Sequence, residues 1–259
     1  VFKSQLERFQ NHEVDLFFSL WLPGRPEDEL RTIINSKIAE VGNPNIKIAN
    51  LTLTKKPEAK LKYRKFHLWS KGNSVDSIFG MYTSIKNVDS LRRQYEEENN
   101  FKYDLVIKSR PDIGLDGVID LNHIKELLDT ECMAVFPQDY NWFSAWHGNG
   151  GMLNDQFFIS TSDIMSLITD IDIDQCCDEG CRFHPESILW WKLVRQIPVP
   201  DHLKDKEIPQ YKFLPFDTLL KGKDKEMVVN DISFSQENIE KFKLDKIFES
   251  IGFTPNVQT

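Results

Sequence analysis

No apolar run in this chain approaches the ~18–20 residues that a membrane-spanning helix requires, so none is expected. There is no GxGxxG and no P-loop, and the dehydrogenase and NTPase classes lose their usual support. An excess of positive charge is also missing. The 32 Lys and Arg face 40 Asp and Glu, a formal net charge of −8, so no nucleic-acid partner is expected. Cysteine is scarce: Cys132, Cys176, Cys177 and Cys181. Three of the four fall in Cys176-Cys177-Asp178-Glu179-Gly180-Cys181, a spacing that matches no structural zinc pattern. Zinc, completed by Asp178, Glu179 or His184, and a local disulfide stay open beside the favoured reading of free thiols in a loop. Repeats and low-complexity tracts are absent, and no segment reads as a secretory signal peptide. The chain begins at Val1, which leaves a preceding segment open.

What is present is ample apolar material. With 259 residues, 40% hydrophobic, the chain can bury one large core with an appendage. Val14 to Leu20 is a near-continuous apolar run, as in a strand covered on both faces. After Pro23-Gly24, Pro26 and the acidic Glu27, Asp28 and Glu29 mark a helix start, with Leu30, Ile33, Ile34 and Ile38 as the buried stripe. A strand is expected over 46–53 and a long helix from Ser74 to about Glu98, buried along Ile78, Tyr82, Ile85, Val88, Leu91 and Tyr95. Further strands are expected at 103–107, 132–136 and 156–160, and helices near 121–129, from Thr161 or Ser162, and over 185–196. This alternation predicts an α/β domain, residues 1–200, with a mostly parallel sheet flanked by helices. Residues 201–259 read as a C-terminal helical appendage, with Ile239 to Ile251 amphipathic.

Five constellations could carry chemistry. The strand at 103–107 runs into Lys108-Ser109-Arg110-Pro111-Asp112. Charged groups at the C-terminal end of a buried strand stand where open α/β sheets bind ligands. Arg110 can neutralise a diphosphate, and Asp112 can ligate a divalent cation bridging one. The bland alternative is a surface turn closed by an Arg–Asp ion pair. Between 55 and 71, seven basic residues (Lys55, Lys56, Lys60, Lys62, Arg64, Lys65 and Lys71) oppose only Glu58, which makes +6 there and −14 elsewhere. Such a patch suits an anionic ligand, or is a solvated loop. The loop 138–151 carries Tyr140, Trp142, Phe143, Trp146 and His147 among polar residues and glycines, the ingredients of sugar recognition or of aromatic packing against the appendage. Asn154-Asp155-Gln156 precedes an apolar strand. His184 and Glu186 open a helix at Pro185, where the helix start favours the glutamate anion; the glutamate can act as a carboxylate base or merely stabilise that start.

YDLVIKSRPDIGL, then NDQFFISTSDIM, then FHPESILWWKL resemble, in order and spacing over residues 14–200, a group of GT-A-like glycosyltransferases from bacterial and viral surface-polysaccharide gene clusters. Their RPD strand stands where other GT-A enzymes carry Asp-x-Asp. The resemblance implies a GT-A-like fold, a nucleotide-sugar donor and transfer to a glycan acceptor, in capsule or lipopolysaccharide synthesis. It implies Arg110 and Asp112 on the donor diphosphate, Asp155 and Gln156 on the donor or acceptor sugar, and His184 and Glu186 near the reacting centre. Beside it, the basic stretch puts Lys65 and Lys71 on the donor, and the aromatic loop puts Trp142, Trp146 and His147 on the acceptor, with Gln156 and His184. Glu186 or Asp155 is expected as the base where the reaction inverts the anomeric centre. A divalent metal, Mn or Mg, on Asp112 is left open. Lys108 stands where an arginine is frequent. The expected location is the cytoplasm, peripheral to a membrane where the acceptor is membrane-borne. The competing readings are a non-catalytic glycan-binding module on the same fold and transfer of a non-sugar group onto a polysaccharide.

Overall fold

The computed structural model describes residues 2–9, 11–20, 26–54, 75–138, 142–143, 151–181, 183–207, 209–214, 217–220, 233–235 and 256–258. The chain opens with α1 (Phe2–Glu7) and β1 (Val14–Leu20), followed by α2 (Glu27–Ala39), β2 (Ile46–Leu53) and α3 (Val75–Asn99). Next come β3 (Val106–Ser109), β4 (Ile113–Asp116), α4 (Leu121–Thr130), β5 (Ala134–Pro137), β6 (Trp142–Phe143), β7 (Gly151–Met152) and β8 (Phe157–Ser160). Then follow α5 (Ser162–Thr169), α6 (Ile173–Asp178), α7 (Pro185–Trp191), a π turn (Lys192–Gln196), β9 (Tyr211–Leu214) and β10 (Asp217–Leu220). The segments β11 (Ser233–Ser235) and β12 (Asn256–Gln258) pair with each other.

The architecture is mixed α/β, with helices on both faces of a four-stranded sheet of order β3-β8-β5-β9. The sheet is not mostly parallel. β8 runs antiparallel to both β3 and β5, and only β9 lies parallel to β5. A parallel neighbour needs a crossover, usually helical. β3 and β5 have one in α4, whereas the described parts of the connection from β5 to β8 are the antiparallel pair β6–β7. β1 and β2 form a separate parallel pair. Its residues Val14 to Leu20 are half-buried rather than covered on both faces.

Side chains alternate across the strands. Phe136 and Phe158 stack with centroids 5.5 Å apart on the face packed by Met165, Ile168, Leu189 and Leu193. Val135, Phe157 and Ile159 point to the other face, against Ile124 and Leu128 of α4. Asp120 caps α4 by accepting from the Asn122 and His123 amides.

The long helix departs from its expected stripe after Ile85. The buried positions are Ile78, Tyr82, Ile85, Asp89, Arg92 and Glu96, while Val88, Leu91 and Tyr95 sit one residue aside and are half-buried. Arg92 donates to Asp89 Oδ1 (2.9 Å), Glu96 Oε2 (2.7 Å), Ser162 Oγ (2.7 Å) and Ser166 Oγ (2.7 Å). Glu96 also accepts from the Tyr103 amide at 2.8 Å, so one buried network ties α3 to α5 and to the approach of β3. In α2, Leu30 and Ile38 are buried but Ile33 is 43% exposed and lies off the stripe. Cys176 lies in α6 rather than a loop, and Cys132, Cys176 and Cys181 are buried. Beyond residue 200 the chain still builds sheet: β9 extends the four-stranded sheet and β10 pairs with β4. The stretch 239–251 lies outside the described residues.

Candidate functional site

Three of the five constellations meet at one corner of the sheet. The antiparallel register sets Ser109 opposite Phe157, and the Arg110 amide prolongs the ladder by donating to Gln156 O at 3.2 Å. Arg110 therefore lands beside Asp155-Gln156, which lies 45 residues away in sequence. The start of α7 is pinned to the same corner. The Leu153 amide donates to Glu186 O at 3.2 Å, and the Tyr82 hydroxyl donates to Pro185 O at 2.5 Å.

Arg110 and Asp112 face each other across Pro111. Arg110 Nε donates to Asp112 Oδ1 at 2.9 Å and Nη2 to Oδ2 at 2.6 Å. This fork holds the Asp112 carboxyl below the usual carboxylate range. With side chains 42% and 54% exposed, the pair contributes little to stability. Its significance is positional, because the fork is also the geometry that grips phosphate oxygens.

Asp155 is only 6% exposed. It borders an apolar niche formed with Tyr82, Ile85, Phe158, Ile168, Ile171 and Leu189 that is too tight for a water molecule. Burial, and then the charge of Glu186, push the Asp155 carboxyl up to about 6, against the attraction of Lys108 and Arg110. Asn154 shapes the entry to β8. Its Oδ1 accepts from the amides of Gln156 (2.8 Å) and Phe157 (3.2 Å), an Asx turn. Gln156 Oε1 is buried with no hydrogen-bond partner among the described residues.

His184 occupies the N-cap position of α7, and Pro185 the first turn. His184 Nδ1 lies 2.5 Å from Glu186 Oε2, yet the contact is not aligned as a hydrogen bond, and neither buried atom has another such partner among the described residues.

Lys108 is the member of this corner that sequence reasoning passed over, as a neutral replacement for arginine. Its Nζ donates to the backbone carbonyl of Asp155, and desolvation lowers its pKa to about 8. A signal for it exists in the period of the strand. Val106 and Lys108 share one face, and Val106 packs into the core on the Phe136–Phe158 side. A lysine facing that way must find oxygen partners at the sheet's end. The other two constellations are not placed. Lys65, Lys71, Trp146 and His147 lie outside the described residues, and of Trp142 only the backbone of β6 is described.

Both oxygens of Asp112 face the Arg110 guanidinium, and no group of three His, Cys, Asp or Glu among the described residues could hold a metal ion. The chain does contain Asp170-Ile171-Asp172-Ile173-Asp174, a doubled Asp-x-Asp, but it serves the link from α5 to α6. There Ile171 and Ile173 enter the core, Asp170 pairs with Lys86 at 2.5 Å, and Asp172 accepts from the Gln175 amide.

Comparison with models of protein families, with curated proteins and with solved structures finds no match.

Proposed function

We propose that this protein is a nucleotide-sugar-dependent glycosyltransferase of GT-A-like architecture that elongates a surface polysaccharide. The observation that carries this reading is the meeting of Arg110–Asp112, Asp155 and His184–Glu186 at one sheet corner. On this reading Arg110 turns from Asp112 to the diphosphate of the donor and neutralises its charge directly. Asp155, with its carboxyl raised toward neutrality, is basic enough to take a proton at pH 7 and still largely ionised there. It accepts the proton of the acceptor hydroxyl as that oxygen attacks the anomeric carbon. The bond from that carbon to the phosphate oxygen breaks, and the nucleoside diphosphate leaves with the electron pair. Glu186, as an anion nearby, sustains the basicity of Asp155. Lys108 balances the two carboxylates. The basic stretch with Lys65 and Lys71 completes the donor side, and the Trp142–His147 loop the acceptor side. The reaction belongs to the cytoplasm, at a membrane surface where the acceptor is anchored there.

The test is turnover by the full chain with UDP-, GDP- and CMP-sugars, read as product mass. Transfer or hydrolysis that disappears in Asp155→Asn supports the reading. Absence of turnover with every donor, together with no affinity for nucleoside diphosphates, overturns it. Sugar binding without nucleotide affinity points instead to a glycan-binding module. A product mass other than that of a glycosyl adduct points to transfer of another group.

A further inference from the structure

The turn that carries Arg110 and Asp112 is held from an unexpected place, the short first helix. Gln5 is 6% exposed and reaches across more than 100 residues of sequence. Its Nε2 donates to the carbonyls of Arg110 (2.7 Å) and Ile113, the two peptides that bracket Pro111-Asp112. Its Oε1 accepts from Ser109 Oγ at 3.2 Å. One side-chain amide thus spans residues 109–113. Pro111 has no amide hydrogen, so this turn is short of one internal donor, and Gln5 supplies what the turn lacks. Just past the end of α1, Arg8 donates to the carbonyls of Leu115 (2.9 Å) and Gly117 (2.6 Å), which fixes β4 rather than the turn.

These bonds all go to backbone or to Ser109, and none goes to the side chains of Arg110 or Asp112. The backbone is therefore held independently of the Arg110–Asp112 pair. When an anion draws the guanidinium away from Asp112, the peptides beneath stay in place. We propose that Gln5 is a positioning residue that presets the 109–113 turn so that Arg110 is presented to a diphosphate. The ligand in this inference rests on the glycosyl-transfer reading; the preset turn does not.

The test compares three full-length proteins: wild type, Gln5→Met and Arg8→Lys. Binding of inorganic pyrophosphate and of UDP is measured by calorimetry. The Arg110 Nε–H resonance reports the pair with Asp112 without any ligand. Gln5→Met is expected to weaken both ligands roughly 10- to 100-fold, the scale on which small misplacements of positioned groups act. It is also expected to move the Arg110 Nε–H signal. Arg8→Lys also loses side-chain bonds to backbone carbonyls, at the neighbouring β4 rather than at the turn, and is expected to keep wild-type affinity and the wild-type signal. Equal effects of the two variants on affinity, or wild-type affinity and an unmoved signal in Gln5→Met, overturn the proposal. If the wild type binds neither ligand, has no affinity for other nucleoside diphosphates and turns over no nucleotide sugar, the functional reading fails. The preset turn is then judged by the Arg110 signal alone, sustained if Gln5→Met moves it and overturned if not. Gln5→Asn keeps the amide one methylene short and gives the same readouts should Gln5→Met not fold.

Discussion

Replacing Asp155 by asparagine is expected to make the protein more stable while removing its activity. In the folded chain the Asp155 carboxyl is pushed from 3.8 to about 6, chiefly by burial and then by the charge of Glu186. The folded state therefore holds this proton more tightly than the unfolded state does. Below about pH 4 the group is protonated in both states, and no penalty arises. Between about pH 4 and pH 6 the unfolded chain has released the proton and the folded chain has not, so stability falls as pH rises. Above about pH 6 the penalty is complete, on the order of 3 kcal/mol for this difference in pKa. Asparagine has nearly the same shape and no charge to desolvate, but it deprives Lys108 of a nearby anion. That attraction is already contained in the difference from 3.8 to about 6, so Asp155→Asn is expected to be more stable at pH 7.5 by on the order of 3 kcal/mol, about 6–12 °C in Tm for a chain of this size. The assay is urea denaturation followed by circular dichroism from pH 4 to pH 8. The difference between variant and wild type should open between pH 4 and 6 and then level off. A variant no more stable than wild type at pH 7.5, with a difference that does not change across this range, refutes the assigned environment of Asp155.

Glu186→Gln removes the like charge that lifts Asp155. The acid limb of the kcat/KM profile, expected near pH 6 in the wild type, should move to lower pH, and a limb that stays or rises contradicts the coupling. Arg92→Met strips a buried cation, 4% exposed, from Asp89 and Glu96 and leaves two carboxylates uncompensated. It should cost about 3–5 kcal/mol in chemical denaturation, and a loss below about 1 kcal/mol would show the network to be incidental. Arg110→Ala should abolish pyrophosphate and UDP binding in calorimetry, whereas excess chelator should leave wild-type binding intact because Arg110 itself neutralises the diphosphate. Binding that collapses with chelator and returns with Mn would show that Asp112 is a metal ligand after all.

Local chemistry made several elements readable without coordinates. Ile46–Leu53 has the expected bounds, and α2, α4, α5 and the start of α7 at Pro185 lie where caps and acidic first turns put them. Arg110, Asp112, Asp155, Gln156, His184 and Glu186 were legible as candidates because charge at the edge of an apolar run is a local signal. The buried stripe of α3 was half legible. Its spacing of three and four continues past Ile85, but through Asp89, Arg92 and Glu96. Hydrophobicity cannot mark a face that is closed by paired charges.

What the sequence determined by itself was most of the longer helices and strands before residue 200 and the list of charged strand ends, because propensity, capping and period act within a few residues. Only the tertiary structure decided the direction of β8, the pairing of β9 and β10 with the earlier strands, and the places of Lys108 and Gln5 at the Arg110 turn. Those depend on which backbone carbonyls are left without partners once the strands have paired, and that is settled between residues 47 to 108 positions apart.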